Sequence, residues 1–299
     1  MEQALALNYQ ETILAWIRKL YPKVFYKQQD IIEIRDNTGK GNKSRELQDS
    51  IIYAKRIQEG MMLKEKHLQR LFPQSFLLFE PKDIVSGDFY WFTRLDDKIV
   101  VATADCTGHG IPGAFMSVLG ISLLNQIVIE ERQTNPELIL QRLDHKVKKA
   151  FAYSVEYVEE NRNYDGMDIS LVVIDQHQMT VDFCGALRPL YLVQNNVLKE
   201  FRGSRFPIGG WQLEEHRIYK GEKISYNKGD KIYLCSDGFA DQFGGPLNKK
   251  YMSGRFKNLL QQTSKYSMNT QFLELRRHLN EWKNNTEQTD DILLLGLQL

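Results

Sequence analysis

The stretch Lys98-Ile99-Val100-Val101-Ala102-Thr103-Ala104-Asp105-Cys106-Thr107-Gly108-His109-Gly110 decides the reading of this chain. As far as Thr103 it is a β-branched apolar run, which reads as a strand. Beyond Gly110, Ile111-Pro112-Gly113 leads into Ala114-Phe115-Met116-Ser117-Val118-Leu119, which reads as the start of a helix. An acid at the end of a buried strand is expensive to desolvate. Asp105 therefore needs a partner: a hydrogen-bond donor, an Arg or Lys, or a metal. The glycines on either side of His109 allow a tight turn and a close approach to the backbone. Taken alone, the stretch is equally served by a turn in which Asp105 bonds local N–H groups.

Working outward, acids recur where strands begin or end. Ser86-Gly87-Asp88 precedes the strand-like Phe89-Tyr90-Trp91, and Ser236-Asp237-Gly238 follows the strand Lys231 to Cys235. Thr289-Asp290-Asp291 heads the final apolar run. Hard divalent cations take carboxylate, carbonyl and water oxygens. Acids far apart in sequence but all at strand ends can converge in one cleft. Adjacent strand residues point to opposite faces, so only one of Asp290 and Asp291 should reach it.

The set Ser86-Gly87-Asp88, Asp105-x-x-Gly108-His109-Gly110, Ser236-Asp237-Gly238 and Asp290-Asp291 resembles the metal-dependent PPM (protein phosphatase 2C-like) serine/threonine phosphatases, and within them the SpoIIE-like branch. Gly166-Met167-Asp168-Ile169-Ser170-Leu171 and Phe206-Pro207-Ile208-Gly209 also match, and the resemblance runs from about Leu47 to Leu299. It implies two Mn²⁺ or Mg²⁺ ions that activate a water to hydrolyse phosphoserine or phosphothreonine. Asp105 would bridge the ions and Cys106 would give its backbone carbonyl. Asp237 and Asp290 would hold one ion and Asp88 the other. Asp168 is left between a place near the site, a third weaker metal, and a cap on the strand that follows. His109 either donates a proton to the leaving oxygen, since imidazole titrates near neutrality, or hydrogen-bonds within its turn. The chain departs from the wider family at Gly87, where an acid is common, and at Leu293, where a hydroxyl is common. The phosphate-binding arginine is unassigned, with Arg188 and Arg205 as candidates.

The substrate implied is a signalling phosphoprotein of a bacterial partner-switching or two-component-like pathway, of the anti-sigma-factor-antagonist kind. The alternatives are a non-catalytic regulatory binding module of the same fold, which loss of a motif acid would favour, and a different two-metal hydrolase. The absence of metal-ligand histidine clusters weighs against the last.

The rest of the chain sets the frame. It has 299 residues, 42% of them hydrophobic, enough for a sizeable core. Its 39 basic and 38 acidic residues leave a net charge of +1, which argues against a nucleic-acid partner. Cys106, Cys184 and Cys235 are widely spaced and odd in number, which suggests no disulfide framework. With no secretory pattern at Met1-Glu2-Gln3 and no continuous run suited to a membrane span, a cytoplasmic location is expected.

Three parts are expected. Residues 1–46 form an N-terminal helical or regulatory segment, with Ile13, Trp16, Ile17, Leu20 and Val24 on one helical face and a polar loop over 37–44. Residues 47–72 form a helical linker, part of a helical pattern over 45–70. It either makes a homodimer seam or packs on its own domain, and an upstream sensor protein is the expected source of input. Residues 73–299 form the phosphatase domain. Strands, two helices, strands and two helices indicate α+β. The fold expected is a four-layer αββα sandwich of two antiparallel sheets flanked by helices.

Overall fold

The computed structural model describes residues 41–151, 165–210 and 217–299, with side chains from residue 45 onward. The expected helix around Ile13–Val24 lies outside the described residues. The chain divides into two compact units, Met1–Met61 and Met62–Leu299.

The described part of the first unit is helix α1 (Gly41–Met61). It begins inside the stretch read as a polar loop. The helical pattern over 45–70 is two helices, not one. The chain leaves the helix after Met61 and re-enters it as α2 (Glu65–Leu71), with Lys64 extended at the N-cap. Gly60, just before the break, has a low helix propensity.

The second unit contains the expected sandwich. One sheet has the order β1 (Ser75–Glu80), β13 (Ile292–Gln298), β10 (Lys231–Cys235), β6 (Leu190–Gln194), β7 (Val197–Phe201). The other has the order β2 (Phe89–Leu95), β3 (Lys98–Cys106), β4 (Gly166–Asp175), β5 (Thr180–Ala186), β9 (Gly221–Ser225), with β8 (Ile208–Gly209) added to β4. Every pairing within these two sheets is antiparallel.

Helices α3 (Gly110–Leu124) and α4 (Pro136–Phe151) cover the second sheet, while α6 (Ser253–Thr263) and α7 (Met268–Lys283) cover the first. A four-residue turn, α5 (Gly238–Asp241), follows β10. The sheets also contact each other through β10, β13, β3 and β4. Central strands are therefore buried on both faces. This explains why β3 and β4 read as unbroken apolar runs, Ile99 to Ala102 and Leu171 to Ile174, instead of alternating. The edge strand β7 is mostly exposed and carries Lys199 and Glu200, as an unpaired edge requires.

The helix that starts after His109 opens into a π-helical turn over Asn125–Glu130. There Asn125 accepts a hydrogen bond from Trp91 Nε1 at 2.9 Å. Together, Gly110–Glu130 is long and apolar enough to cross a membrane by length and composition, which the reading of the sequence missed. In this fold its Gly120, Ile121 and Leu124 are buried in the helical layer over the sheet. Strand β9 begins at Gly221. Before it, Arg217 and Tyr219 turn their side chains onto the Pro207 carbonyl, each at 2.8 Å.

Candidate functional site

Antiparallel pairing places the motif acids at one end of the sandwich. β3 runs into Asp105 and β10 into Asp237. β2, β4 and β13 start beside Asp88, Asp168 and Asp290. Asp105 sits directly opposite Asp168 across β3 and β4. Cys235 pairs with Leu294, which brings the end of β10 beside the start of β13. Ser236 is stitched there: its N–H donates to the Leu293 carbonyl at 3.0 Å and its Oγ accepts from Leu293 N–H at 3.1 Å. Leu293 itself is buried. Gly108 and Gly110 take the left-handed backbone, with φ of 82° and 69°, to make the turn around His109.

The neighbours Asp290 and Asp291 have different surroundings. Asp291 is buried and accepts from the backbone N–H groups of Lys82 at 2.8 Å and Gly87 at 2.7 Å. Asp290 accepts from the N–H of Asp291 at 2.8 Å, and its carboxyl is raised by burial and by the charges of Asp237 and Asp291. Asp88 is 2% exposed. Among the described residues its buried Oδ2 has no hydrogen-bond partner. Burial and Asp105 push the Asp88 carboxyl well up. Burial, then Asp237, raises Asp105 to about 8, and burial likewise raises Asp168.

Arg188 lies in the turn between β5 and β6, among these acids. Its Nη2 donates to Asp237 Oδ2 at 2.8 Å and Asp168 Oδ2 at 3.1 Å, and stands 3.9 Å from Asp105 Oδ2. Burial works against its charge, but the three carboxylates more than offset that and raise its pKa. No pattern in the sequence distinguished Arg188 from Arg205. The structure does so, since Arg205 is exposed between Ser204 and Phe206.

His109 stands at the N-cap of α3, and its Nδ1 lies 2.7 Å from Asp83 Oδ2, with both side chains exposed. Asp83 escaped the sequence reading because no strand or motif marks it. Cys106, Cys184 and Cys235 are buried thiols. Burial raises all three, Cys184 and Cys235 to about 12, so they stay protonated rather than nucleophilic.

Among the described residues, no three His, Cys, Asp or Glu side chains are already drawn onto a common point. The donor set nevertheless suits hard cations. Several carboxylates with mutually raised pKa values face one guanidinium, and a buried Asp88 oxygen has no donor. A carboxylate excess of this kind is relieved by protons or by cations.

The family model for stage II sporulation protein E (SpoIIE) matches residues 95–299. The chain is 25% identical over 239 residues to phosphoserine phosphatase RsbU of Bacillus subtilis (strain 168), across 75% of this chain and 67% of RsbU. The SiaA-PP2C domain of Pseudomonas aeruginosa aligns with a TM-score of 0.76 at 27% identity, covering 86% of this chain and 98% of that one. A structure of the PP2C phosphatase domain and a regulatory-domain fragment of SpoIIE from Bacillus subtilis gives 0.59 at 18% identity. That alignment covers 76% of this chain and 63% of the other, and it is a likeness of fold.

Proposed function

The chain belongs to the SpoIIE family, and from that premise we propose that Met62–Leu299 is a PP2C-type phosphatase domain acting on phosphoserine or phosphothreonine of a signalling phosphoprotein. The observation that carries this reading is the carboxylate cluster at the sheet ends, with its unpartnered Asp88 oxygen. Asp88, Asp105, Asp237, Asp290 and the Cys106 carbonyl would hold Mn²⁺ or Mg²⁺. Such ions supply an acidified water and positive charge at the phosphoryl oxygens.

The chain's own groups have separate roles in this reading. Asp291 fixes the loop carrying Asp88 by holding the N–H groups of Lys82 and Gly87. Arg188 orients Asp168 and Asp237 and keeps a fixed cation in the cleft. His109, with Nδ1–H given to Asp83, would offer Nε2–H to the leaving oxygen when protonated. In partner switching the substrate is an anti-sigma-factor antagonist. Input would come from an upstream sensor, or from a second copy, acting on the residues before Met62.

The test is p-nitrophenyl phosphate hydrolysis with Mn²⁺, with EDTA, and with Asp105→Asn. The expected result is activity with Mn²⁺ that falls at least about a hundredfold in each of the other two cases, the scale on which removing one transition-state contact acts. A rate indifferent to all three overturns the reading. A second reading, a regulatory binding module, has one observation in its favour: Arg188 already fills part of the acid cluster. No turnover with Mn²⁺ despite a folded protein selects it.

A further inference from the structure

Nothing in the proposed chemistry uses the hairpin that follows α5. Strands β11 (Phe243–Gly244) and β12 (Lys249–Lys250) pair antiparallel, Phe243 opposite Lys250. The base is built rigidly. Gln242 is fully buried; its Nε2 donates to the carbonyls of Phe243 at 2.9 Å and Glu287 at 3.0 Å, and its Oε1 accepts from Thr289 N–H at 3.1 Å. Phe243 N–H donates to Thr289 Oγ1 at 3.2 Å, and Met252 N–H to the Ala240 carbonyl at 2.7 Å. The Gly245 N–H is held by the Trp282 carbonyl at 2.8 Å. One side of the base is thus bonded to the turn after Asp237, the other to the residue before Asp290.

The tip faces outward. Leu247, in the turn, is 74% exposed; at the base Phe243 is 36% exposed and Met252, just past β12, 59%. Lys249 and Lys250 are exposed as well, and Lys250 Nζ lies 2.6 Å from Asp241 Oδ2. The hydrogen bond from Asp241 raises the Lys250 ammonium. Single exposed apolar side chains are ordinary. Here the exposed Leu247 and the lysines stand on a hydrogen-bonded base, which itself loses little freedom on binding.

We propose that this hairpin is the docking arm for the phosphoprotein substrate, gripping acidic and apolar side chains that flank the phosphorylated residue. The inference rests on the phosphatase reading above. A segment bearing phosphoserine carries about −1.5 to −2 charges at that residue, and the cleft it must approach is lined largely by carboxylates. The hairpin, anchored beside Asp290 through Thr289, carries Lys249 and, paired with Asp241, Lys250. The apolar side chains next to them give contact area that a free phosphate or a small aryl phosphate would not use.

The experiment compares two fluorescent phosphoserine peptides of equal length, one flanked by Asp and Leu, the other by Lys and Ser. Affinity is read by anisotropy in EDTA, without turnover, for the wild-type chain and for Lys249→Glu and Leu247→Ser. The expected result is roughly three- to tenfold tighter binding of the Asp/Leu peptide, lost in both variants, the size expected for exposed charge pairs plus one apolar contact. Equal affinity for the two peptides, no measurable binding of either, or a preference that survives both substitutions overturns the proposal. Hydrolysis of p-nitrophenyl phosphate by the same variants, expected to match wild type, reports separately on the phosphatase reading.

Discussion

Asp291 turns its carboxylate onto the amides of Lys82 and Gly87, while its neighbour Asp290 accepts from the Asp291 amide and carries a raised pKa. The same residue type thus anchors a loop at one position and carries a raised carboxyl at the next. Truncating Asp291 to Ala strands the buried Gly87 N–H and the half-buried Lys82 N–H. We expect a loss of about 3 kcal/mol, the cost of charge-assisted hydrogen bonds left unmade. Asp290→Ala removes a repelled charge and should leave the metal-free melting temperature unchanged or slightly raised. Thermal melts of both variants in EDTA check the contrast. That the two neighbours should differ was legible in sequence from strand alternation, although the pair precedes β13, which begins at Ile292. The partners of Asp291 were not, since they lie 209 and 204 residues away.

At the scale of elements, the Ser86-Gly87-Asp88 loop and the Gly108 turn press together. A Cβ at Gly87 would sit 2.6 Å from the Gly108 carbonyl oxygen. Backbone oxygen cannot rotate away as a side chain can, so Gly87→Ala must separate the two loops. The expected outcome is a loss of about 1–3 kcal/mol, as for other overpacked sites, together with weaker Mn²⁺ binding in a calorimetric titration. Unchanged stability and affinity would show that the loops tolerate separation. Asp88 also lies outside the family match, which starts at residue 95. Its link to the other acids rests on β2 pairing with β3, Phe89 opposite Ala104. Turn and cap signals were readable locally: Asn135 before Pro136 does cap α4, accepting from Leu138 N–H at 2.9 Å. The break between α1 and α2 was not, since the apolar spacing continues across it.

For the whole molecule, the acid cluster joins the ends of both sheets, so its charge acts on the stability of the sandwich. Asp105 is raised from 3.8 to about 8, and Asp88, Asp168 and Asp290 move the same way. A carboxyl raised in the folded state binds its proton more tightly there than when unfolded. Its stabilising protonation is complete below the unfolded value and is lost as pH rises through the folded one. The metal-free protein should therefore melt at a lower temperature at pH 8 than at pH 6, and Asp105→Asn should flatten that slope. Saturating Mn²⁺ at pH 8 should restore stability by about 2.7 kcal/mol at a hundred times its Kd. A metal-free protein whose melting temperature rises over that pH range, or ignores Mn²⁺, contradicts this account.

The chain's own order of residues determined the strands, the turns that punctuate them, and the placing of acids at strand ends, because periodicity and turn chemistry act over a few residues. Only the tertiary structure decided which side chains meet there. It set Arg188 among Asp105, Asp168 and Asp237, Asp83 against His109, and the hairpin base against Thr289. Those contacts join residues 20 to 83 positions apart. They exist because packing two sheets face to face brings strand ends together, a consequence of burial that no local pattern records.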